Sequence, residues 1–463
     1  MPTGTIATMI ISLFVSLTLT IVLIVSSLGS SSSFSSFSRR SCIGKLHIKS
    51  SSLQMSTSAA ASKPRLSPMV ENMAISKTIE IHALTKEMER AGKTVYSLCV
   101  GEPDYQPPNE VIVATAAAAN KGLTKYTAVT GELGLRKAIA DDLTKRKGTA
   151  YAPEQIVVSN GAKQAVIQAL MSVVCPGDDV LIPAPYWPSY PDMVKMCNAR
   201  PVPVRTLAKD GYVLTAASLR EALQNNPKAS CIILCNPSNP TGGVADSENL
   251  LSLAAVFRDY PQVTIISDEI YERLTYDIPH VSFAAIPDMM PRTITINGFS
   301  KSHSMTGYRI GYSASSVPIA QAIAKIQSQM TSCASSIGQD AAKIALLDVK
   351  ESWMEDRVKE LKEKRDLAYS LLMKIPNITC PSPDGAFYLL PDVSKYYNKK
   401  TADGKSITNS HDLCFELLRS HGVALVSGDA FGCDECIRLS YAASKELITD
   451  SVTRLEAFLT SLV

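Results

Sequence analysis

Val263-Thr264-Ile265-Ile266-Ser267-Asp268-Glu269-Ile270-Tyr271 is a β-branched run that breaks off into charge. An apolar run without alternation, bounded by polar residues, is written for a strand covered on both faces. Four more runs have this character, Ile156-Val-Val, Val180-Leu-Ile, Cys231-Ile-Ile-Leu and Thr293-Ile-Thr-Ile, and helix-length segments separate them. Parallel strands need such crossovers, so an α/β fold with a mainly parallel, doubly covered sheet is expected. The charged segment from Glu351 to Asp366, with Glu360, Lys362, Glu363 and Lys364 on its polar side, predicts a long amphipathic helix leading to a second unit. The expected organisation is a leader over 1–65, a large domain over 106–351, and a smaller α/β domain built from both chain ends, 66–105 and 352–463.

In an open α/β sheet, ligands bind beyond the carboxyl ends of the strands, so the residues after each run carry the functional signal. The first run ends in Ser159-Asn160-Gly161-Ala162-Lys163-Gln164. Backbone amides at a helix start there could hold a phosphate, although a small-residue turn also serves as a plain connection. The second leads to Pro185-Tyr186-Trp187-Pro188, and Trp187 is one of two tryptophans in the chain. It is placed either to stack on a flat ligand or to pack in a Pro-rich loop. The third ends in Asn236-Pro237-Ser238-Asn239-Pro240-Thr241-Gly242, at the least a multiple turn. The fourth ends in Asp268 and the fifth in Asn297-Gly298-Phe299-Ser300-Lys301, with Arg309 eight residues on. Singly these are a helix cap, a solvated amine and a surface cation. Together they supply a carboxylate, an amine and an anion clamp.

The set Asn236-Pro-Ser-Asn-Pro-Thr-Gly242, Ser267-Asp-Glu-Ile-Tyr271, Ser300-Lys301 and Gly307-Tyr-Arg-Ile-Gly-Tyr312, in this order and spacing, resembles the class I, fold-type I aminotransferases, which depend on pyridoxal phosphate. The resemblance runs from about Leu66 to the C-terminus. Gly101-Glu-Pro-Asp-Tyr105, Lys125-Tyr126, Gly161-Ala-Lys163 and Pro185-Tyr-Trp187 are similar to the bacterial and plastid branch of aspartate and prephenate aminotransferases.

The resemblance implies a role for each matching residue. Lys301 would attach to the cofactor aldehyde and, once displaced by substrate, carry the proton at Cα. Asp268 would sit against the pyridine nitrogen and favour its charged form. Asn239 and Tyr271 would hydrogen-bond the ring oxygen, and Trp187 would cover the ring. The amides of Gly161 and Ala162, Ser300 and the fork of Arg309 would hold the phosphate. Tyr126 would reach the phosphate of a neighbouring subunit, which makes the active unit a homodimer. Arg438, in Ile437-Arg-Leu-Ser440, would grip the substrate α-carboxylate with Gly101 and Asn239; otherwise it is a strand arginine in a surface pair. Lys163 would take the distal carboxylate of an acidic substrate, while Ser76 and Thr78 fall in the segment that closes over it.

The implied reaction is ping-pong transamination between aspartate or glutamate and 2-oxo acids, 2-oxoglutarate and oxaloacetate, with prephenate to arogenate as an added capacity. The alternatives are an aminotransferase for neutral or aromatic amino acids, or a lyase or synthase on the same fold. A regulatory amino-acid sensor of this fold would begin with a DNA-binding helix pair, where this chain has a leader. Branch members usually carry Trp in place of Tyr308, an Ala-Phe-Ala run in place of Ser302-His303-Ser304, and Glu in place of Gly134. These departures leave the second substrate open, and His303 either packs or neighbours the proton relay.

The whole chain supports this reading by exclusion. Its 463 residues are 46% hydrophobic and 19% charged, with a formal charge of +3, which lacks the dense basic field of nucleic-acid binding. No acid precedes Glu71, while Arg39, Arg40, Lys45, Lys49, Lys63 and Arg65 do; without those six, 46 basic against 43 acidic residues become 40 against 43. The uncharged run between Thr5 and Leu28 is a signal peptide or a membrane anchor, and the Ser-rich, acid-free residues 26–65 have transit-peptide composition. Together they resemble the two-part leaders of algae with secondary plastids, so a plastid location with no membrane attachment of the mature form is expected; the alternative is anchoring or an endomembrane location. The eleven cysteines, such as Cys99, Cys175 and Cys231, mostly read as small hydrophobes in apolar runs. Cys433-Asp-Glu-Cys436 has no second pair for a zinc site, which leaves a redox role or none, and no metal is expected.

Overall fold

In the computed structural model, which describes residues 65–71 and 77–463, the five apolar runs are strands of one seven-stranded sheet. The leader up to Pro64 and Ser76 lie outside the described residues; Thr78 falls in the helix Lys77–Arg90. β1 (Tyr96–Ser97) stands apart from the large sheet. β2 (Ile156–Ser159), β3 (Asp179–Ala184), β4 (Arg200–Arg205), β5 (Ala229–Cys235), β6 (Thr264–Asp268), β7 (Thr293–Gly298) and β8 (Gly311–Ala314) follow the order β2-β8-β7-β6-β5-β3-β4. β4, β3, β5, β6 and β7 are mutually parallel, and β8 runs antiparallel to both β2 and β7.

Strand side chains alternate between two apolar layers, which is why the runs show no polar alternation. Leu181, Ile232, Leu234 and Ile265 pack with Leu219, Leu223, Leu250 and Leu253 of the helices Ala216–Asn225 and Ser247–Arg258. Val180, Ile182, Ile233 and Ile266 pack with Val166 and Leu170 of the helix Ala162–Val173 and Ile323 of Val317–Met330. Each such side chain contributes about 1.5–3 kcal/mol by its burial.

Two strands had no apolar signature. β4 carries Pro201 and Pro203 and lies at the sheet edge, where a missing N–H is tolerated. β8 is Gly-Tyr-Ser-Ala, short and mixed, and its burial comes from neighbours on both sides.

The expected helix forms as Glu351–Leu372. Lys364 corrects the reading of its polar side, because it is buried and ion-paired to Asp104 at 2.6 Å and Glu360 at 2.8 Å. Periodicity places a side chain on a helix face but does not reveal which distant segment crosses that face.

A third apolar layer joins the chain ends. Ile81, Met88 and Leu98 pack with Leu361, Leu417 and Leu455, and this layer reaches the large sheet at Ile270, Tyr271 and Leu274. Around it lie β9 (Tyr388–Leu389), the hairpin of β10 (Lys399–Lys400) and β11 (Ser406–Ile407), β12 (Val423–Ala424), β13 (Val426–Ser427) and β14 (Ile437–Ser440). β1 pairs in parallel with β12, and β14 lies between β13 and β9. Leu66–Val463 is a single compact unit.

Cys231 is buried as expected, but Cys175 is exposed, since it follows the end of the apolar helix rather than lying within it. Cys433 and Cys436 are buried, and among the described residues no His, Cys, Asp and Glu group could hold a metal ion. None of the described helices is long and apolar enough to cross a membrane.

Candidate active site

Asp268 closes β6 and is 4% exposed. Tyr190 donates its hydroxyl to Asp268 Oδ2 at 2.7 Å, and the Ile270 amide donates to Oδ1 at 3.2 Å. Burial lifts the Asp268 carboxyl to about 6, against the pull of those two donors. The segment after Asp268 is pinned from behind by buried ion pairs, Lys147 to Glu269 at 2.7 Å and Arg146 to Glu272 at 2.9 Å.

Lys301 follows β7 by three residues and donates from Nζ to the carbonyl of Gly101. Burial brings its amine down to about 8; Glu102 and Asp268 oppose the shift while Arg438 and Arg309 reinforce it. Burial thus disfavours the charged form of both groups, raising the acid and lowering the amine.

Arg309 has left-handed backbone, φ 56°, and donates to the Thr306 carbonyl at 2.9 Å. Its guanidinium covers Gly161 so closely that a Cβ there would stand 2.5 Å from Nη2; with φ 85°, that position requires glycine. Gly161 caps the helix Ala162–Val173, so a cation and a helix start converge on one spot.

Trp187 stacks edge-on against Tyr190, with centroids 5.3 Å apart, and Lys163 Nζ lies 4.8 Å from the Trp187 ring centroid. Burial, and then repulsion by Arg309, lower the Lys163 amine from its usual value.

Arg438 belongs to β14 and is 7% exposed, so it is not a surface-pair arginine. It donates from Nη1 to Asn239 Oδ1 at 3.0 Å and from Nη2 to the Cys99 carbonyl at 2.7 Å. Its plane lies over the rings of Tyr388 and Phe431, at 4.5 and 5.0 Å. Its Nε has no hydrogen-bond partner, and no carboxylate pairs with it among the described residues. A buried guanidinium in that state is poised for an anion.

These groups line one cleft of about 580 Å³, which holds Gly101, Ala162, Lys163, Trp187, Asn239, Asp268, Tyr271, Ser300, Lys301, Arg309 and Arg438. Gly161 adjoins it through Arg309. Tyr126 stands outside the lining and is 87% exposed.

Two lining tyrosines were not anticipated. Tyr190 holds Asp268, and its position three residues after Trp187, at the start of the helix Ser189–Met196, was the available signal. Tyr388 shares a 2.9 Å hydrogen bond between hydroxyls with Tyr271 and underlies Arg438. It follows Gly385-Ala-Phe in a segment with no motif to mark it. Glu102 also lines the cleft, beside the expected Gly101. His303 stacks on Trp353, with centroids 6.2 Å apart and planes 5° apart, and burial holds its ring neutral down to about 3.

The donor set fits pyridoxal phosphate: an amine that titrates near 8, a buried acid, a cation over a helix start where only glycine fits, and a tryptophan. The family model for aminotransferase class I and II matches residues 93–455. The chain is 43% identical over 401 residues to a bifunctional aspartate aminotransferase and glutamate/aspartate-prephenate aminotransferase of Petunia hybrida, covering 86% of this chain and 83% of the relative. It is 40% identical to an aspartate/prephenate aminotransferase of Cereibacter sphaeroides, over 86% of this chain and 99% of the other. The crystal structure of the aspartate aminotransferase from Rhizobium meliloti superposes with a TM-score of 0.83 at 36% identity, over 86% of this chain and all of that one.

Proposed function

The chain belongs to the class I and II aminotransferases and depends on pyridoxal phosphate, and from that premise we propose that it is an aspartate aminotransferase with prephenate as a further acceptor. The observation that carries this reading is the cleft in which Lys301, Asp268 and Arg309 meet two further cations, Lys163 and Arg438. The two are suited to the two carboxylates of an acidic amino acid.

The bound cofactor supplies an aldehyde that combines with amines and a ring that accepts electrons from the substrate Cα. Lys301 would hold it through Nζ, the nitrogen that would also move a proton at the substrate Cα. Asp268 keeps a proton on the ring nitrogen, with Tyr190 holding the carboxylate in place. Asn239 and Tyr271 would hydrogen-bond the ring oxygen, and Trp187 would lie against the ring. Arg309, Ser300 and the amides of Gly161 and Ala162 hold the phosphate. Arg438 grips the α-carboxylate beside Gly101 and Asn239, and Lys163 takes the distal one. Tyr126, exposed here, reaches the phosphate of a second copy, so the working unit is a homodimer. The layer joining the chain ends is read as the small domain, 66–105 with 352–463, and the seven-stranded sheet with its helices as the large one, 106–351.

Single-turnover absorbance of the cofactor-loaded protein tests the substrate reading. Aspartate, glutamate and arogenate are expected to convert the bound cofactor, and phenylalanine far more slowly. Lys163→Met should cost about 10- to 100-fold in kcat/KM for aspartate and leave phenylalanine within about threefold, the worth of one charge-assisted bond. A response to phenylalanine alone would discard the acidic-substrate reading; release of ammonia with no 2-oxo acid acceptor would discard transamination.

The leader reading makes the protein plastid-located, supported by the composition of residues 1–65. N-terminal sequencing of native protein is expected to find a mature start between about Ser56 and Ser67. An intact N-terminus in a membrane pellet would replace it with anchoring.

A further inference from the structure

The segment after β1 is a strap between the two ends of the cleft. Its Leu98 donates to the Ala424 carbonyl at 3.0 Å and accepts from the Ser440 amide at 2.8 Å, so it is built into the same layer as Arg438. The Cys99 carbonyl receives Arg438 Nη2, and the Gly101 carbonyl receives Lys301 Nζ. Four residues on, Tyr105 donates its hydroxyl to the main-chain carbonyl of Lys301 at 3.2 Å. The strap thus touches the lysine twice, at its amine and at its backbone.

Tyr105 is itself held firmly. Its ring meets Trp353 edge-on with centroids 5.7 Å apart, and Arg357 lies 5.8 Å from the ring centroid on the same helix, Glu351–Leu372. The neighbouring Asp104 is paired at 2.6 Å to the buried Lys364 of that helix. Ser304 donates its hydroxyl to the Tyr105 carbonyl from a left-handed position, φ 53°. Burial raises the Tyr105 phenol well above its usual value, so it remains a donor throughout the working pH range.

We propose that Tyr105 is a positioning residue for Lys301, fixing the lysine's main chain from the same strap that receives its amine, with Ser304 as the second strut. Lys301 stands in a turn beyond the end of β7, outside the sheet ladder. A lysine side chain is long and flexible, so the position of its nitrogen depends on where its backbone is anchored as well as on what meets its end. Ser304 is one of the departures from the branch's Ala-Phe-Ala run, and its hydroxyl has this structural use.

The inference rests on the reading of Lys301 as the cofactor lysine, so the test separates the two. Wild type, Tyr105→Phe, Ser304→Ala and the double variant are loaded with pyridoxal phosphate, reduced with borohydride and mapped by peptide. Phe keeps the Trp353 and Arg357 contacts and removes only the hydroxyl. Tyr105→Phe is expected to load on Lys301 and melt as wild type does, with kcat for aspartate lower by about three- to tenfold and KM unchanged. The pH midpoint of cofactor capture by the apoprotein should rise, because a loosened lysine is less desolvated while Glu102, Asp268, Arg309 and Arg438 still face it. The double variant should lose less than the two single losses combined, since both struts act on one turn. Wild-type kcat and midpoint in Tyr105→Phe would overturn the proposal, as would a loss matched by higher KM and a lower melting temperature. Recovery of the reduced cofactor on another lysine in wild type would instead overturn the reading of Lys301.

Discussion

Lys301→Ala is expected to lower kcat for aspartate by at least about 10⁴-fold near pH 7 while the protein stays folded. The change removes the one cleft amine that combines burial, a nearby acid and a direct tie to the strap. Burial has already brought that amine to about 8, so an appreciable fraction is neutral at working pH and able to take a proton. Lys163, the other cleft lysine, is placed against the Trp187 ring and does not substitute. The alanine truncates a polar side chain at a cleft wall, which leaves no apolar cavity, so stability should change little. Phosphate binding through Arg309 and the helix start should persist, and small added amines should restore part of the rate because the missing group is a base. Steady-state kinetics and cofactor retention on gel filtration measure both. Activity within about tenfold of wild type would show that another group moves the proton.

The wild-type apoprotein carries a related signature. Capture of the cofactor needs the neutral amine, so its rate should rise with pH and level off above about 8.

The strands that build the site were legible because each is buried on both faces and leaves an unbroken apolar run; β5 and β6 are the clearest. Their ends were legible because special residues gather there. β4 escaped since proline is tolerated at an edge, and β8 since its burial is conferred by β2 and β7 rather than by its own composition. The same distinction divides the site. Asp268, Lys301 and Arg309 stand in motifs whose spacing is local. Tyr388 lines the cleft, meets the Tyr271 hydroxyl from 117 residues away and lies under Arg438, and no local pattern encodes either contact. Lys364 looked solvated because its partner, Asp104, comes from 260 residues away. Tyr126 is the converse: its motif was legible, yet within one chain its side chain stands largely exposed, outside the cleft.

Asp268→Asn is expected to reduce kcat by about 10³-fold with the cofactor still bound, since an anion at a ring nitrogen typically moves its pKa by about 1–3 units and each unit is worth tenfold. The amide nearly matches the carboxylate in shape, and Tyr190 can turn its hydroxyl from donor to acceptor, so the site should keep its form. What is lost is charge. The charge also leaves a mark on the apoprotein. There the Asp268 carboxyl titrates at about 6, raised by burial, against an unfolded value of about 3.9. A raised acid contributes stability that is fully present below the unfolded value and is lost as pH rises through the folded one. Between about pH 4 and 6 the wild-type apoprotein should therefore lose on the order of 3 kcal/mol relative to Asp268→Asn, which has no proton to release. Denaturant unfolding of both apoproteins across that window measures the difference. Parallel curves would mean that the carboxylate is already paired without the cofactor. A variant within about tenfold of wild type in kcat would remove Asp268 from the proton-holding role, whatever the unfolding curves show.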